Sequence, residues 1–143
     1  MNRKNLKLLA DYLWNLPEGY EHFDMYFFHT GADTPSDAHI SCGTAACALG
    51  HSPYVQGLPG PLEGERWFQY SGRIFDLNSG FLKGWDWCFS SDWAEIDNTP
   101  KGAAKRIYYL LSLRNEDDLT RFSYSKEDVA MYQDMTPEDV EGG

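Results

Sequence analysis

The most constraining feature of the sequence is a helix signal that begins at Thr99 and Pro100. Threonine suits the N-cap because its hydroxyl accepts a hydrogen bond from an unpaired backbone N–H, and proline suits the first helical position. Apolar residues then recur at the spacing of one helix face: Ala103, Ala104, Ile107, Leu110 and Leu111. The pattern predicts a helix with one buried stripe, against which the rest of the chain must pack.

Helical spacing recurs in other parts of the chain. Leucines at 6, 9, 13 and 16 predict an amphipathic helix over residues 3–16, which Pro17 and Gly19 end. Shorter helical segments are predicted over residues 44–49, 66–77 and 85–93, whereas the aromatic segment 22–30 favours a buried strand. We therefore predict a mainly helical, loop-rich single domain (α+β, with one or two short strands).

Acidic residues are concentrated near the C-terminus. Residues 115–143 contain nine Asp or Glu and two basic residues, a net charge of −7, whereas residues 1–114 carry only −3 of the total of −10. Two helix starts, at Ser125 and Thr136, place acids in a first turn, where the helix dipole favours them. We predict a globular domain over 1–114 and an acidic extension over 115–143 with one or two short helices, and interpret the extension as solvated and loosely docked.

Composition excludes several classes of protein. No run of 18 apolar residues is present, and the N-terminal segment has the pattern of an amphipathic helix and not of a signal peptide. Three cysteines without a secretion signal favour free thiols in the cytoplasm. The negative charge opposes direct binding of nucleic acid, whose phosphates need a basic surface. We expect a cytoplasmic protein without membrane spans or a bound cofactor.

One cluster has the residue types of a metal or thiol site: His39, Cys42, Cys47 and His51. The spacing of two, four and three intervening residues matches no common zinc module, and buried cysteine is common as a small apolar residue. A nucleophilic Cys42 ahead of the predicted helix 44–49 is the enzymatic alternative, and its general base would be His22, His29, His39 or His51. No histidine follows position 51, which excludes the chain order of papain-like hydrolases.

Two weaker hypotheses concern sugars and nucleotides. Carboxylates at 86, 92, 95 and 97 surround Trp85, Trp87 and Trp93, as in a carbohydrate site, although such tryptophans more often anchor a core. A site that sequesters a nucleotide would need the cationic group Arg66, Arg73, Lys101, Lys105 and Arg106. The chain contains no Walker, dinucleotide-binding, HExxH or GxSxG motif.

The blocks CGTAACALGH (42–51) and DNTPKGAAKRIYYLL (97–111), with WDWCFSSDW between them, resemble a scattered group of small bacterial and phage proteins. That group shares a CGTxACxxGH-like block and an NTPxGAAxRIxYLL-like helix start. The resemblance covers about residues 23–111 and leaves out the acidic extension. It implies a prokaryotic or phage, cytoplasmic context and brings no activity and no catalytic residues.

Without catalytic motifs, the sequence favours a non-enzymatic interaction protein, such as an inhibitor or host-modulating factor that binds a basic surface of a partner protein. The candidate partner-binding residues are acids of the extension: Glu116, Asp117, Asp118, Glu127 and Asp128. The alternative is a small cysteine- or metal-dependent enzyme that uses Cys42, Cys47 and His51.

Overall fold

Two helices, α1 (Arg3–Trp14) and α5 (Pro100–Ser112), form the most extensive helix pair in the computed structural model, which describes residues 1–38, 44–80 and 82–140. Their contact is made by the predicted stripes, which are fully buried: Leu6, Leu9 and Leu13 on α1, and Ala103, Ala104, Ile107 and Leu110 on α5. The side chain of Thr99 accepts a hydrogen bond from the Gly102 N–H at 3.0 Å, so the predicted N-cap is confirmed.

Shorter helices surround this pair and belong to the same core. They are α2 (Ala48–His51), α3 (Trp67–Phe75), α4 (Gly84–Phe89) and α6 (Lys126–Tyr132). Single 3₁₀ turns lie at Pro35–Asp37, Ser52–Tyr54, Ser91–Glu95, Glu116–Asp118 and Pro137–Asp139. The prediction of a mainly helical single domain is confirmed.

The segment predicted as a strand, 22–30, is reduced to two isolated bridges that share one partner. Phe23 pairs with Ala46 in parallel and His29 pairs with Ala46 in antiparallel orientation. The segment turns back between them, where the Phe27 N–H bonds to the Asp24 carbonyl at 3.4 Å. Because these bridges hold Ala46 in extended backbone, α2 begins at Ala48 and not at residue 44 as predicted.

Gly50 brings α2 into direct backbone contact with this turned segment. A Cβ atom at position 50 would overlap the carbonyl oxygen of Phe28 and would lie 2.7 Å from the Cβ of Ala46. Only a residue without a side chain lets the two segments lie this close. This approach positions Phe28 on one side of α2 and His51 at its end.

The C-terminal segment is part of the core. Phe122, Tyr132 and Val140 are buried, and the ring of Phe122 lies 5.7 Å from that of Trp93 in a stacked arrangement. Both predicted short helices are present, as α6 and as the turn Pro137–Asp139. The interpretation of a loosely docked appendage is therefore wrong, because aromatic burial holds the segment in place. A domain boundary after residue 114 stays a prediction.

A buried arginine joins this segment to α5. The guanidinium of Arg106 is fully buried, 4.6 Å above the ring of Trp93, and it donates a hydrogen bond to the Tyr132 hydroxyl at 3.0 Å. That hydroxyl donates in turn to the carboxylate of Asp97 at 2.9 Å, which lies 3.8 Å from Arg106 Nη1. The charge is thus compensated only when the turn Ser91–Glu95, α5 and α6 are all in place.

Replacing the cap of α5 should destabilise the protein measurably. Thr99→Ala leaves the Gly102 N–H without its side-chain partner and should lower the free energy of unfolding by about 1 kcal/mol. Thr99→Ser keeps a hydroxyl and should stay within about 0.5 kcal/mol of the parent. Urea unfolding followed by circular dichroism measures both values, and equal midpoints for the alanine and serine variants would contradict the role of the cap.

Truncating Phe122 should show that the C-terminal segment stabilises the core. Phe122→Ala removes a buried ring packed on Trp87 and Trp93 and should cost about 3–5 kcal/mol. Phe27→Ala, at a ring that is 50% exposed, is the matched control and should cost less than about 1 kcal/mol. If chemical denaturation gives the same small loss for both variants, the segment is not part of the cooperative unit.

Candidate functional site

An aromatic cleft of about 230 Å³ opens between the turned segment 25–28 and helices α3 and α4. Its lining residues are Met25, Tyr26, Phe28, Phe68, Trp85, Phe89, Ser90 and Ser91. None of them is a lysine or an arginine, and their polar side-chain groups are the hydroxyls of Tyr26, Ser90 and Ser91 and the indole N–H of Trp85. The cleft is smaller than the 300–1,000 Å³ typical of drug-sized ligand pockets, so it suits one side chain or a similarly small group.

The wall of the cleft is a rigid stack of rings. Phe68 stacks on Trp85 with 4.8 Å between ring centroids, and the edge of Phe28 meets Phe68 at 5.4 Å. The indole N–H of Trp85 donates to the hydroxyl of Ser71 at 2.8 Å, which fixes the orientation of its ring. Trp85 is buried beneath Phe68, so the outer face of the stack is that of Phe68.

Large apolar side chains are unusually exposed on this part of the surface. Phe68 is 60% exposed, and Tyr26 and Phe27 are each 50% exposed. Leaving these side chains exposed is unfavourable, because burying them would contribute hydrophobic free energy. Contiguous apolar patches of this kind mark contact surfaces for other molecules. Leu62, 56% exposed, does not line the cleft and provides an internal comparison.

Carboxylates border the cleft; we call Asp24, Asp92 and Glu95 the acidic rim. Glu95 accepts a hydrogen bond from the Tyr26 hydroxyl, and Asp24 accepts one from the Tyr26 backbone N–H at 3.0 Å. Asp92 follows the lining residue Ser91 and is exposed. The hydrogen bond to Glu95 raises the pKa of Tyr26, so the phenol stays protonated at neutral pH and remains a hydrogen-bond donor to that carboxylate.

The predicted Cys/His site is represented in the structure by Cys47 and His51, because His39 and Cys42 lie outside the described residues. His51 Nδ1 donates to the Cys47 carbonyl at 2.9 Å, and the Tyr20 hydroxyl donates to His51 Nε2 at 3.2 Å, so both ring nitrogens are engaged. Burial raises the pKa of the Cys47 thiol to about 11 and lowers that of His51 to about 4. These shifts favour a neutral thiol and a neutral imidazole, which suits structural burial better than nucleophilic chemistry.

Metal-ligand types do not gather elsewhere in the described parts of the chain. No group of three or more His, Cys, Asp or Glu residues is arranged to hold a metal ion in residues 1–38, 44–80 and 82–140. The second buried histidine, His29, accepts from the Gly31 N–H at 3.0 Å and donates to the Tyr54 hydroxyl at 2.5 Å. Its ring lies parallel to Trp67, with 6.4 Å between centroids, which gives it a packing role.

The cationic group proposed for a nucleotide is dispersed. Arg73 pairs with Glu65 at 2.7 Å, Lys101 lies 4.1 Å above the ring of Trp14, and Arg106 is buried in the core. The hypothesis of a common cationic pocket is wrong for these three residues, because each is already compensated in a different place.

The residues of the carbohydrate hypothesis are only partly brought together by the structure. Trp87 and Trp93 are fully buried and cannot form a sugar platform. Trp85 lines the aromatic cleft, and Asp92 and Glu95 belong to its rim. The sequence pattern therefore includes residues at the cleft, but the three tryptophans do not form one exposed platform.

The predicted partner-binding acids differ in their roles. Three carboxylates fix local backbone: Glu116 accepts from the Asn78 N–H, Asp118 from the Asn115 N–H, and the buried Asp128 from the N–H groups of residues 123 and 125. Burial removes Asp128 from any contact surface. Asp117, Asp118 and Glu127 are exposed and remain candidates.

Sequence reasoning missed the cleft, although one signal of it was present. The buried stripe of α3 contains Trp67, Tyr70 and Ile74, and Phe68 lies off that stripe. A large aromatic residue on the polar side of an amphipathic helix has no role in the core and therefore indicates a contact surface.

Comparison with protein-family models, curated proteins and solved structures finds no match to this chain. In the described residues, no helix has the length and apolar character needed to cross a bilayer. The function is therefore inferred from the geometry and charge of the aromatic cleft and its acidic rim.

The buried His51 should make stability fall between pH 6.5 and 4. The unfolded chain takes up a proton near the ordinary histidine pKa of 6.5, whereas burial keeps the folded imidazole neutral down to a pKa of about 4. Stability contributed by neutral His51 is therefore complete above pH 6.5 and decreases by about 3 kcal/mol as the pH falls to 4.

The measurement compares the parent with His51→Gln. As the pH decreases from 6.5 to 4, the free energy of unfolding should fall more for the parent than for the variant. The acidic residues are the same in both chains, so their contribution cancels in the difference. His22 and His29 face His51 and are unchanged in the variant. Parallel pH profiles for the two proteins would contradict a buried neutral His51.

Proposed function

We propose that this chain is a non-enzymatic interaction protein that binds a basic surface of a partner protein through the aromatic cleft. The observation that carries the proposal is the exposed ring of Phe68 in a cleft whose described lining contains no lysine or arginine and whose Tyr26 hydroxyl is hydrogen bonded to the carboxylate of Glu95. The biological role that we propose is that of an inhibitor or host-modulating factor, because the chain is small and acidic and lacks catalytic motifs; the bacterial or phage resemblance adds only a prokaryotic, cytoplasmic context.

The arrangement has the composition of a binding hot spot. Aromatic side chains supply large apolar contact area near the centre of an interface, and charged groups at its rim set orientation and association rate. Phe68 and Tyr26 take the central role here, and Asp24, Asp92 and Glu95 take the peripheral one. A net charge of −10 attracts a basic partner over distances longer than any contact.

The C-terminal acids contribute to this field at a distance. Asp117, Asp118 and Glu127 are exposed and add long-range attraction, whereas Glu116 and the buried Asp128 hold local backbone. We therefore assign contact to the aromatic cleft and steering to the exposed acids. At physiological ionic strength this steering decays over about 8 Å, so salt should slow association.

The alternative of a cysteine- or metal-dependent enzyme gains no support from the described residues. Cys47 and His51 are buried, and the ring nitrogens of His51 are both hydrogen bonded. His39 and Cys42 lie outside the described part of the chain.

Phe68→Ala should weaken binding to a purified partner by about 10- to 30-fold, mainly through faster dissociation. Candidate partners are captured on the immobilised chain from a bacterial lysate, identified and purified, and then measured by surface plasmon resonance. Leu62→Ala is the matched control, because Leu62 is similarly exposed but does not line the cleft. Asp92→Asn with Glu95→Gln should reduce the association rate and its salt dependence.

Both outcomes are interpretable because Phe68 and Leu62 are surface residues and their removal leaves the core intact. A partner that binds Phe68→Ala and the parent with equal affinity would show that the cleft is not the contact surface. A partner without a basic surface would contradict the electrostatic part of the proposal.

A further inference from the structure

We infer that the aromatic cleft receives a single cationic side chain of the partner, an arginine or a lysine, held over the Phe68 and Tyr26 rings and paired with the acidic rim. The inference rests on the proposed function and specifies what enters the cleft. An apolar anchor is the competing occupant.

Size restricts the occupant to one side chain. The cleft encloses about 230 Å³, below the range of pockets that hold a cofactor or a drug-sized ligand. Its ring faces are closely set, with Phe28 meeting Phe68 edge-on and Trp85 stacked beneath. A long, thin side chain with an apolar stem and a charged head fits such a space, because the stem contacts the rings and the head reaches the rim.

The electrostatics of the rings favour a cation. Aromatic faces carry negative potential and attract ammonium and guanidinium groups within about 6 Å of the ring centroid. The Tyr26 hydroxyl donates a hydrogen bond to the carboxylate of Glu95, which increases the electron density of the phenol ring. No lysine or arginine is among the lining residues, so the cleft is aromatic and acidic without an internal cation.

The same chemistry already operates elsewhere in the protein. Lys101 Nζ lies 4.1 Å from the ring centroid of Trp14, and the Arg106 guanidinium lies 4.6 Å from that of Trp93. In both places the chain supplies its own cation to a tryptophan. At the cleft, the ring of Phe68 is exposed, the carboxylate of Glu95 is hydrogen bonded to Tyr26, and the N–H of Asp92 is hydrogen bonded to the lining residue Ser90. A cation from another molecule would complete a comparable environment there.

A pair of near-isosteric peptides tests the inference directly. Acetyl-Gly-Arg-Gly-amide and acetyl-Gly-citrulline-Gly-amide have almost the same shape, but only the first is charged. Titration of the full chain, followed by the NMR signal of the Trp85 indole N–H, should show about 2- to 30-fold tighter binding of the arginine peptide. Phe68→Leu should abolish this preference, Glu95→Gln should reduce it, and Leu62→Ala should leave it unchanged.

Each other outcome overturns the inference. Equal binding of the two peptides would identify an apolar anchor site, and preference for citrulline would exclude a cation. Absence of any shift at Trp85 would show that the cleft does not accept this class of side chain. A shift caused by raising the protein concentration alone would identify a second copy of the chain as the occupant.

The peptide titration tests the cation inference, and the partner measurement tests the proposed function, so each can be contradicted without the other. If the arginine peptide binds preferentially but no basic partner depends on Phe68, the chemistry of the cleft stands and the proposed function fails. If a basic partner depends on Phe68 but the two peptides bind equally, the interaction function stands and the cation inference fails.

Discussion

The buried guanidinium of Arg106 is the interaction on which the rest of the fold depends. A charge removed from water is destabilising by several kcal/mol unless it is paired and hydrogen bonded. Arg106 obtains that compensation from two other stretches of chain: residues 93–97 supply the Trp93 ring and the Asp97 carboxylate and carbonyl, and α6 supplies the Tyr132 hydroxyl. Burial of Arg106 on α5 is therefore coupled to the packing of the C-terminal segment, which supplies Tyr132.

This dependence explains why an acidic, outwardly polar segment belongs to the core. Residues 115–140 carry apolar side chains among their acids, and Phe122 and Tyr132 pack on Trp87 and Trp93 next to Arg106. The many carboxylates of the segment do not oppose folding because several of them cap backbone N–H groups. The charge that remains exposed is then available to act on other molecules.

Local signals in the sequence were sufficient to predict the positions of the two longest helices and the mainly helical fold class. Thr99 and Pro100 predicted the start of α5 correctly, and leucine spacing predicted α1 to within two residues at its end. The failures involve contacts between distant segments. Ala46 bonds to residues 22 and 24, and its bridges to Phe23 and His29 shorten α2; periodicity within one segment cannot reveal such pairing.

The candidate site was hidden from the sequence for the same reason. Its rings come from the turned segment, from α3 and from α4, and none of the three carries a recognisable motif alone. The cysteines and histidines of residues 39–51 indicated a candidate metal or thiol site because their residue types match metal ligands. Cys47 and His51 are equally suited to burial in an aromatic environment, where Tyr12, Tyr20 and Tyr54 surround His51.

The close backbone contact at Gly50 indicates which residue of the block 42–51 relatives of this protein should share. Because the Phe28 backbone oxygen, and not a movable side chain, occupies the space where a Cβ would lie, no repacking accommodates another residue there. Divergent members of the lineage should therefore retain this glycine even where Cys47 and His51 have drifted. A search profile weighted on Gly50 and on the Thr99–Pro100 helix start would detect proteins that share this fold. A profile weighted on the cysteines and histidines would instead select for a metal or thiol site, which the buried pair Cys47 and His51 does not form.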